Sequence, residues 1–322
     1  MAILKITSDG DPFPAKAGAA QVDDARFGVV AGQPINTGGT RIFADARTGF
    51  NAIVDQQPNK VYNITYRAGD RDTYSQSSQV VAENTPIGVA VNGAVIYTAG
   101  SKTHQTDGTN SGASLTYNLG NSTYNTTLDQ CGGRPEINGE YRYRNGSFIY
   151  KGFSNPTNPN MLFVNSSTYY SGTKVGSDYL KHESITHDAV VFGEGHSKIV
   201  GWALDGFPIY GPFGYQNPLD PTSNVVQMLS TWGLKGPSDP IFSNPARISN
   251  TPGIYIEDYE IKPQTGTLDA FNGRYCVTPD FKNGTYAYFL TFEEAGEGDA
   301  VPTVPAYPYV IGTNSKQPRS YE

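Results

Sequence analysis

The sequence predicts an all-β protein, with sandwich-like packed antiparallel sheets, long loops and at most one or two short helices. Three observations carry this. Charged residues make up only 16% of the chain while Gly (36) and Tyr (22) are plentiful, a mixture that suits strands and turns rather than exposed helices. Short apolar and aromatic runs alternate with Asn-Gly and Asp-Gly pairs, the strongest short-range hairpin signal. One such pattern, Gly-x-Ala-x-(Asn/Asp)-Gly-x-x-Ile-Tyr, occurs twice, at residues 88–97 and 201–210. The second copy lies in Gly195–Tyr215, where apolar, aromatic and turn residues are densest, and two such hairpins suggest facing parts of one sheet system.

Residues 1–60, rich in Gly, Ala, Pro and Asp, read as an extended N-terminal arm, with Thr40–Val54 apolar enough to dock on the body of the protein or, as the alternative, on another subunit. From Val61 the pattern is β, and residues 61–314 form the domain. The polar stretch 98–127 reads as a long exposed loop carrying His104. Glu140–Arg144 is a strand whose alternation puts Tyr141 and Tyr143 on one face and Arg142 and Arg144 on the other, the arginines reading as a solvated charged face with local salt bridges ahead of the alternative, a site for an anion or carboxylate. Ser223 before Val225–Leu229 is a helix candidate ending near Gly233. Strands return at Gly253–Tyr259, Gly273–Thr278 and Gly284–Phe292, where Tyr286, Tyr288, Leu290 and Phe292 share one parity and so one buried face. Residues 315–322 read as a loose tail.

The formal charge of -7, without any Lys/Arg run, argues against nucleic acid as a partner. No segment approaches membrane-spanning length and the first residues lack the pattern of a signal peptide, so no membrane insertion and no export are expected. Cys131 and Cys276 permit one disulfide, although the expected non-secretory context favours free thiols.

The segments Pro86–Gly93, Cys131-Gly132-Gly133, Gly139-Glu140-Tyr141, His196–Tyr215, Leu268-Asp269 with Asn272–Pro279, Asn283–Phe289 and Ala306–Gly312 together resemble the YHYH-domain proteins, over residues 80–312. The resemblance is broken in the motif that names the family. Its two interleaved histidines, and a further one after Cys-Gly-Gly, fall on Arg142, Arg144 and Arg134, leaving Tyr141 and Tyr143 in place. A guanidinium has no lone pair to offer a cation or a proton in the way neutral imidazole does, so a metal or general-base role is not expected there. Similar domains occur in secreted proteins of aquatic bacteria and in tailed phages of marine cyanobacteria, and the composition fits the phage version better.

Outside that motif, His182, His187 and His196, with Asp205, form the one cluster dense enough for a divalent metal, zinc or another transition ion. Gly-x-Ser-x-Gly is absent, and the Asp and Glu pairs have no distinguishing context, so no catalytic set is assigned. The expected function is therefore non-catalytic: a virion structural protein of a tailed phage (tail, baseplate or head surface), needing no cofactor, localised to the particle, with other virion proteins and copies of itself as partners. The alternatives are a module binding a host-surface glycan and a metal-binding secreted protein.

Overall fold

An eight-stranded mixed sheet forms the centre of the structure, a computed structural model that describes residues 3–8, 42–43, 53–54, 60–69, 79–90, 94–101, 115–121, 128, 132–135, 141–146, 196–247, 249–263, 265–294 and 304–319. Its strands are β1 (Pro86–Ala90), β2 (Val95–Tyr97), β3 (Gly133–Pro135), β4 (Tyr141–Tyr143), β5 (Ile199–Ala203), β6 (Pro208–Tyr210), β7 (Gly273–Cys276) and β8 (Thr285–Phe289). They lie in the order β3-β4-β2-β1-β5-β6-β8-β7. All neighbours are antiparallel except β4 with β2 and β6 with β8, which are parallel. The all-β expectation holds, and the two parallel pairings are additions that alternation alone does not reveal.

That order reads as one unit used twice. Each half is a hairpin (β1–β2, β5–β6) followed by a second hairpin (β3–β4, β7–β8) whose later strand runs parallel to the outer strand of the first. At the centre, β1 meets β5 through Gly201↔Ala90, Trp202↔Val89 and Ala203↔Gly88, pairings that reproduce themselves when the halves are exchanged. Backbone hydrogen bonds repeat as well. Ala90 N to Ala94 O (2.9 Å) matches Ala203 N to Phe207 O (2.9 Å), Asn84 N to Gly100 O (2.8 Å) matches Ser197 N to Phe213 O (3.0 Å), and Leu119 N to Ala99 O matches Met228 N to Pro212 O, both 2.7 Å.

The second hairpins carry the repeat in sequence: Leu128-Asp129-x-x-Gly132-Gly133-Arg134, then Asn138-Gly139-x-Tyr141-x-Tyr143, against Leu268-Asp269-x-x-Asn272-Gly273-Arg274, then Asn283-Gly284-x-Tyr286-x-Tyr288. Gly132 (φ 72°) and Asn272 (φ 69°) occupy the same left-handed turn position, open only to glycine and a few residues such as asparagine. From that turn Gly132 O accepts from Arg144 N at 2.8 Å, as Asn272 O accepts from Phe289 N at 3.3 Å. The hairpins of the two halves are thus adjacent in one sheet about a pseudo-twofold at Val89·Trp202, not on facing sheets.

Side-chain alternation sends one face of the sheet into the main core, where Ile87, Ile96, Tyr143, Ile209, Tyr286, Tyr288, Leu290 and Phe292 pack with Tyr307, Tyr309 and Val310. The shared parity of Tyr286, Tyr288, Leu290 and Phe292 is borne out there. On the opposite face Val89, Val95, Trp202 and Leu204 pack with Tyr62 and Ile64 at the centre. Half two fills its own outer part of that face with Tyr210, Phe289, Ala287, Cys276, Met228 and Leu268.

Several local expectations are corrected. Val225–Gln227 is a strand paired with Phe213–Tyr215, not a helix, because its β-branched pair finds an edge to join. The described helices are 3₁₀ turns at Pro240–Ser243 and Ile256–Asp258, the latter interrupting the expected strand 253–259. Within 98–127, Leu115, Tyr117 and Leu119 are buried against Tyr255; His104 lies outside the described residues. Residues 315–319 are pinned rather than loose: Ser315 pairs with Gln79, Gln317 is buried, and Arg319 Nη1 donates to Pro86 O at 2.8 Å.

Within the expected arm, Ile3–Ser8 pairs antiparallel with Lys60–Thr65, and Leu4 and Ile6 pack on the central cluster. The strand holding them is itself pressed on the β5–β6 turn: Arg67 N donates to Gly206 O at 3.1 Å, and a Cβ at Gly206 (φ 94°) would fall 1.9 Å from Thr65 O. Within the apolar run of the arm, Ile42–Phe43 pairs with Ile53–Val54.

Candidate functional site

The motif strand β4 lies between β3 and β2, so its positions are set by two ladders. Arg142 stands opposite Arg134 in the β3 ladder and beside Val95 in the β2 ladder. Tyr143 is completely buried in the main core, and the side chains of its neighbours therefore go the other way. Of Tyr141 and Arg134 the structure describes only the backbone.

Arg142 and Arg144 both approach one ring. The guanidinium carbon of Arg142 sits 4.0 Å from the centroid of Tyr97 and that of Arg144 sits 5.3 Å from it. Such stacking suits the weakly hydrated guanidinium plane. Arg144 is only 1% exposed, so the solvated reading of this face is corrected for it. Its Nη1 donates to Thr98 O at 3.0 Å and its Nη2 to Asn84 Oδ1 at 2.8 Å, and these two bonds fix the plane of the fork. A cavity of about 50 Å³ adjoins it, with Glu83, Ile87, Tyr97, Thr98 and Tyr307 among its walls.

His196 and Asp205 are described; His182, His187 and Cys131 lie outside the described residues. His196 is buried among Tyr210, Tyr215 and Phe289. Its Nδ1 is 2.7 Å from Ser197 O, and since a carbonyl can only accept, Nδ1 carries the proton while Nε2 has no partner. Burial lowers its pKa to about 4, which keeps the ring neutral near pH 7.

Asp205 is also fully buried, but on the other side of the sheet. Its Oδ2 accepts from Tyr288 Oη at 2.6 Å and from Gln317 N at 3.2 Å, and burial raises its pKa to about 6. Because Tyr288 faces the main core and the adjacent Phe289 faces the opposite cluster, the sheet itself separates Asp205 from His196. The structure does not bring this pair together as ligands. Among the described residues no group of three or more His, Cys, Asp or Glu side chains is placed to hold a metal.

Cys276 is a free, buried thiol, its pKa pushed up to about 11 by burial. Near it, Tyr210 Oη donates to Asp280 Oδ2 at 2.8 Å and lies 2.9 Å from Thr278 Oγ1, while Arg274 Nη2 donates to Tyr215 O. These bonds satisfy buried groups within the core of half two. Ser197 Oγ likewise serves the backbone, accepting from Phe213 N at 2.9 Å.

Sequence reasoning missed Tyr97, Asn84, Glu83 and Thr98, which surround Arg144. The repeated hairpin was the available signal, since it makes Tyr97 the counterpart of Tyr210, but the contacts depend on the parallel β4–β2 pairing.

The fold and this strand define an all-β domain whose signature positions lie on an inner strand of a duplicated sheet. The YHYH protein family's profile matches residues 65–297, more than half of the chain, and the chain belongs to that family. No curated protein and no solved structure matches it. No helix among the described residues is long and apolar enough to cross a membrane.

Proposed function

We propose that this YHYH-family chain is a non-catalytic structural and assembly protein, a component of a tailed-phage particle at its tail, baseplate or head surface. The observation that carries the non-catalytic part is the pair Arg142 and Arg144 around Tyr97. Where the family resemblance places histidines, this chain has groups that neither ligate cations nor accept protons. The particle setting is supported by the resemblance to phage proteins, and the large N-terminal segment offers a means of joining copies of the chain to one another and to other particle proteins. Quantitative mass spectrometry of density-purified particles tests the reading. A fixed, small-integer copy number relative to the major capsid protein is the expected result; absence of the chain from the particles would overturn it and return attention to a secreted or cell-surface role.

A further inference from the structure

Residues 314–319 lie as a strap over the buried pair Asp205 and Tyr288, both 0% exposed. Two successive amides of the strap end on that pair. Lys316 N donates to Tyr288 Oη at 2.7 Å and Gln317 N to Asp205 Oδ2 at 3.2 Å, the same oxygen that accepts from Tyr288 Oη. The strap is tied down on either side as well. Asn314–Ser315 pairs with Gln79–Val80, Pro318 O accepts from Arg67 Nη1 at 3.1 Å, and Arg319 Nη1 donates to Pro86 O at 2.8 Å.

Pro318 is the one apolar side chain in residues 314–319. The strap is therefore held by hydrogen bonds, which water replaces on opening, rather than by apolar burial, and its release costs less than the opening of a core strand. The Asp205 carboxyl beneath it responds more strongly to water, because a closed strap keeps it out of solvent.

The titratable and charged groups around Asp205 come from each element packed there. Tyr286 and Tyr288 of β8 stay protonated, burial pushing both further up. Arg67, beyond the strand Lys60–Thr65, donates to Asp205 O and favours the ionised carboxyl. From the strap, Lys316 Nζ sits 5.0 Å from the centroid of Tyr286, and Arg319 is bonded to Thr85 Oγ1 and Pro86 O. Asp269, ahead of β7, accepts from Tyr286 Oη at 3.0 Å and is itself raised by burial. At Asp205 burial outweighs Arg67 and the hydrogen bonds, and the pKa rises from 3.8 to about 6. An opened strap returns the carboxyl to water and to its ordinary value. Support for closure is then fully present below pH 3.8 and is lost as pH rises through 6, with Asp269 acting in the same sense.

We propose that residues 314–319 are a proton-operated strap, closed over neutral Asp205 in acid and released when that carboxyl ionises, which uncovers Tyr288 and frees the ladder of Gln79–Val80. The device stands independently of whether the chain is carried in a particle.

Hydrogen–deuterium exchange of the full-length protein at about pH 4.5 and about pH 7.5, with protection taken relative to the unprotected rate at each pH, tests this. Protection of the Lys316 and Gln317 amides is expected to fall by about tenfold or more between the two conditions, while the amides of β6 and β8 keep theirs. Asp205→Asn, which is neutral at both pH values, should keep the strap protected at both. Should that variant not fold, a ¹³C titration of the Asp205 carboxyl in the wild-type protein decides, and its midpoint should coincide with that of the loss of strap protection. Equal strap protection at the two pH values, an equal loss in β6 and β8, wild-type pH dependence in folded Asp205→Asn, or two separate midpoints would overturn the proposal.

Discussion

Gly88 and Gly201 each press against the other's strand at the centre of the sheet. A Cβ on Gly88 would come within 2.9 Å of Trp202 O, and one on Gly201 within 2.9 Å of Val89 O. The second neighbours match too, Ile209 Cδ1 at 3.0 Å for Gly88 and Ile96 Cδ1 at 3.3 Å for Gly201. The pseudo-twofold is thus maintained at the level of individual atoms. Gly88→Ala and Gly201→Ala should each lower unfolding free energy by about 1–3 kcal/mol, and by similar amounts, in chemical denaturation. A large loss at one position with none at the other would mean that the halves are not equivalent there.

The buried pair of Arg247 and Asp258 holds the turn around Ile256–Asp258. Both side chains are 0% exposed; Arg247 Nη2 donates to Asp258 Oδ2 at 3.1 Å, and the same oxygen accepts from Gly253 N at 2.9 Å. Replacing the carboxylate leaves a buried cation and bare N–H donors. Asp258→Ala is therefore expected to cost about 3–5 kcal/mol, seen as a large drop in Tm.

His196 and Asp205 titrate in opposite senses over one pH range. The folded pKa of Asp205 is raised from 3.8 to about 6, so its contribution is fully present below pH 4 and is lost as pH rises through 6. The folded pKa of His196 is lowered from 6.5 to about 4, so the unfolded chain takes up the proton first and stability is lost as pH falls from 6.5 to 4. Each is worth about 3 kcal/mol at full extent, and the two largely offset each other. Relative to wild type, Asp205→Asn should gain stability from pH 4 to pH 6.5, and His196→Gln should lose it over the same interval. Denaturant melts at several pH values read this directly; parallel profiles for all three proteins would contradict the assignment.

Cys276 should be chemically silent in the folded protein. With the thiol buried and its pKa near 11, little thiolate is present at pH 8. Iodoacetamide followed by peptide mapping should leave Cys276 unmodified until denaturant is added. Modification of Cys276 in the native protein, or an intact mass short by the two hydrogens of a disulfide, would run against the structure.

The β class and the buried parity of Tyr286, Tyr288, Leu290 and Phe292 were legible because alternation is a local property of a strand. The repeat was only half visible. Gly88–Tyr97 and Gly201–Tyr210 share spacing, whereas Leu128–Tyr143 and Leu268–Tyr288 differ in the loop between Arg134 and Asn138 and that between Arg274 and Asn283. Loop length is free to vary at a surface, so it hides homology that the ladders reveal. The helix expected at 223–233 failed for the opposite reason: Val225–Gln227 has a passable N-cap before it, but the exposed edge of Phe213–Tyr215 was the better partner. Burial of Arg144 was not legible at all, since alternation assigns a face without saying what covers it.

The most direct test of the central claim, that the family's histidine positions here form a cationic rather than a metal-binding set, is metal content. Tag-free protein would be incubated with zinc or copper, passed through gel filtration and measured by inductively coupled plasma mass spectrometry. Far less than one metal per chain is expected, because Arg142 and Arg144 offer no lone pairs and His196 and Asp205 lie on opposite faces of the sheet. Retention of one zinc or copper ion per chain would contradict it.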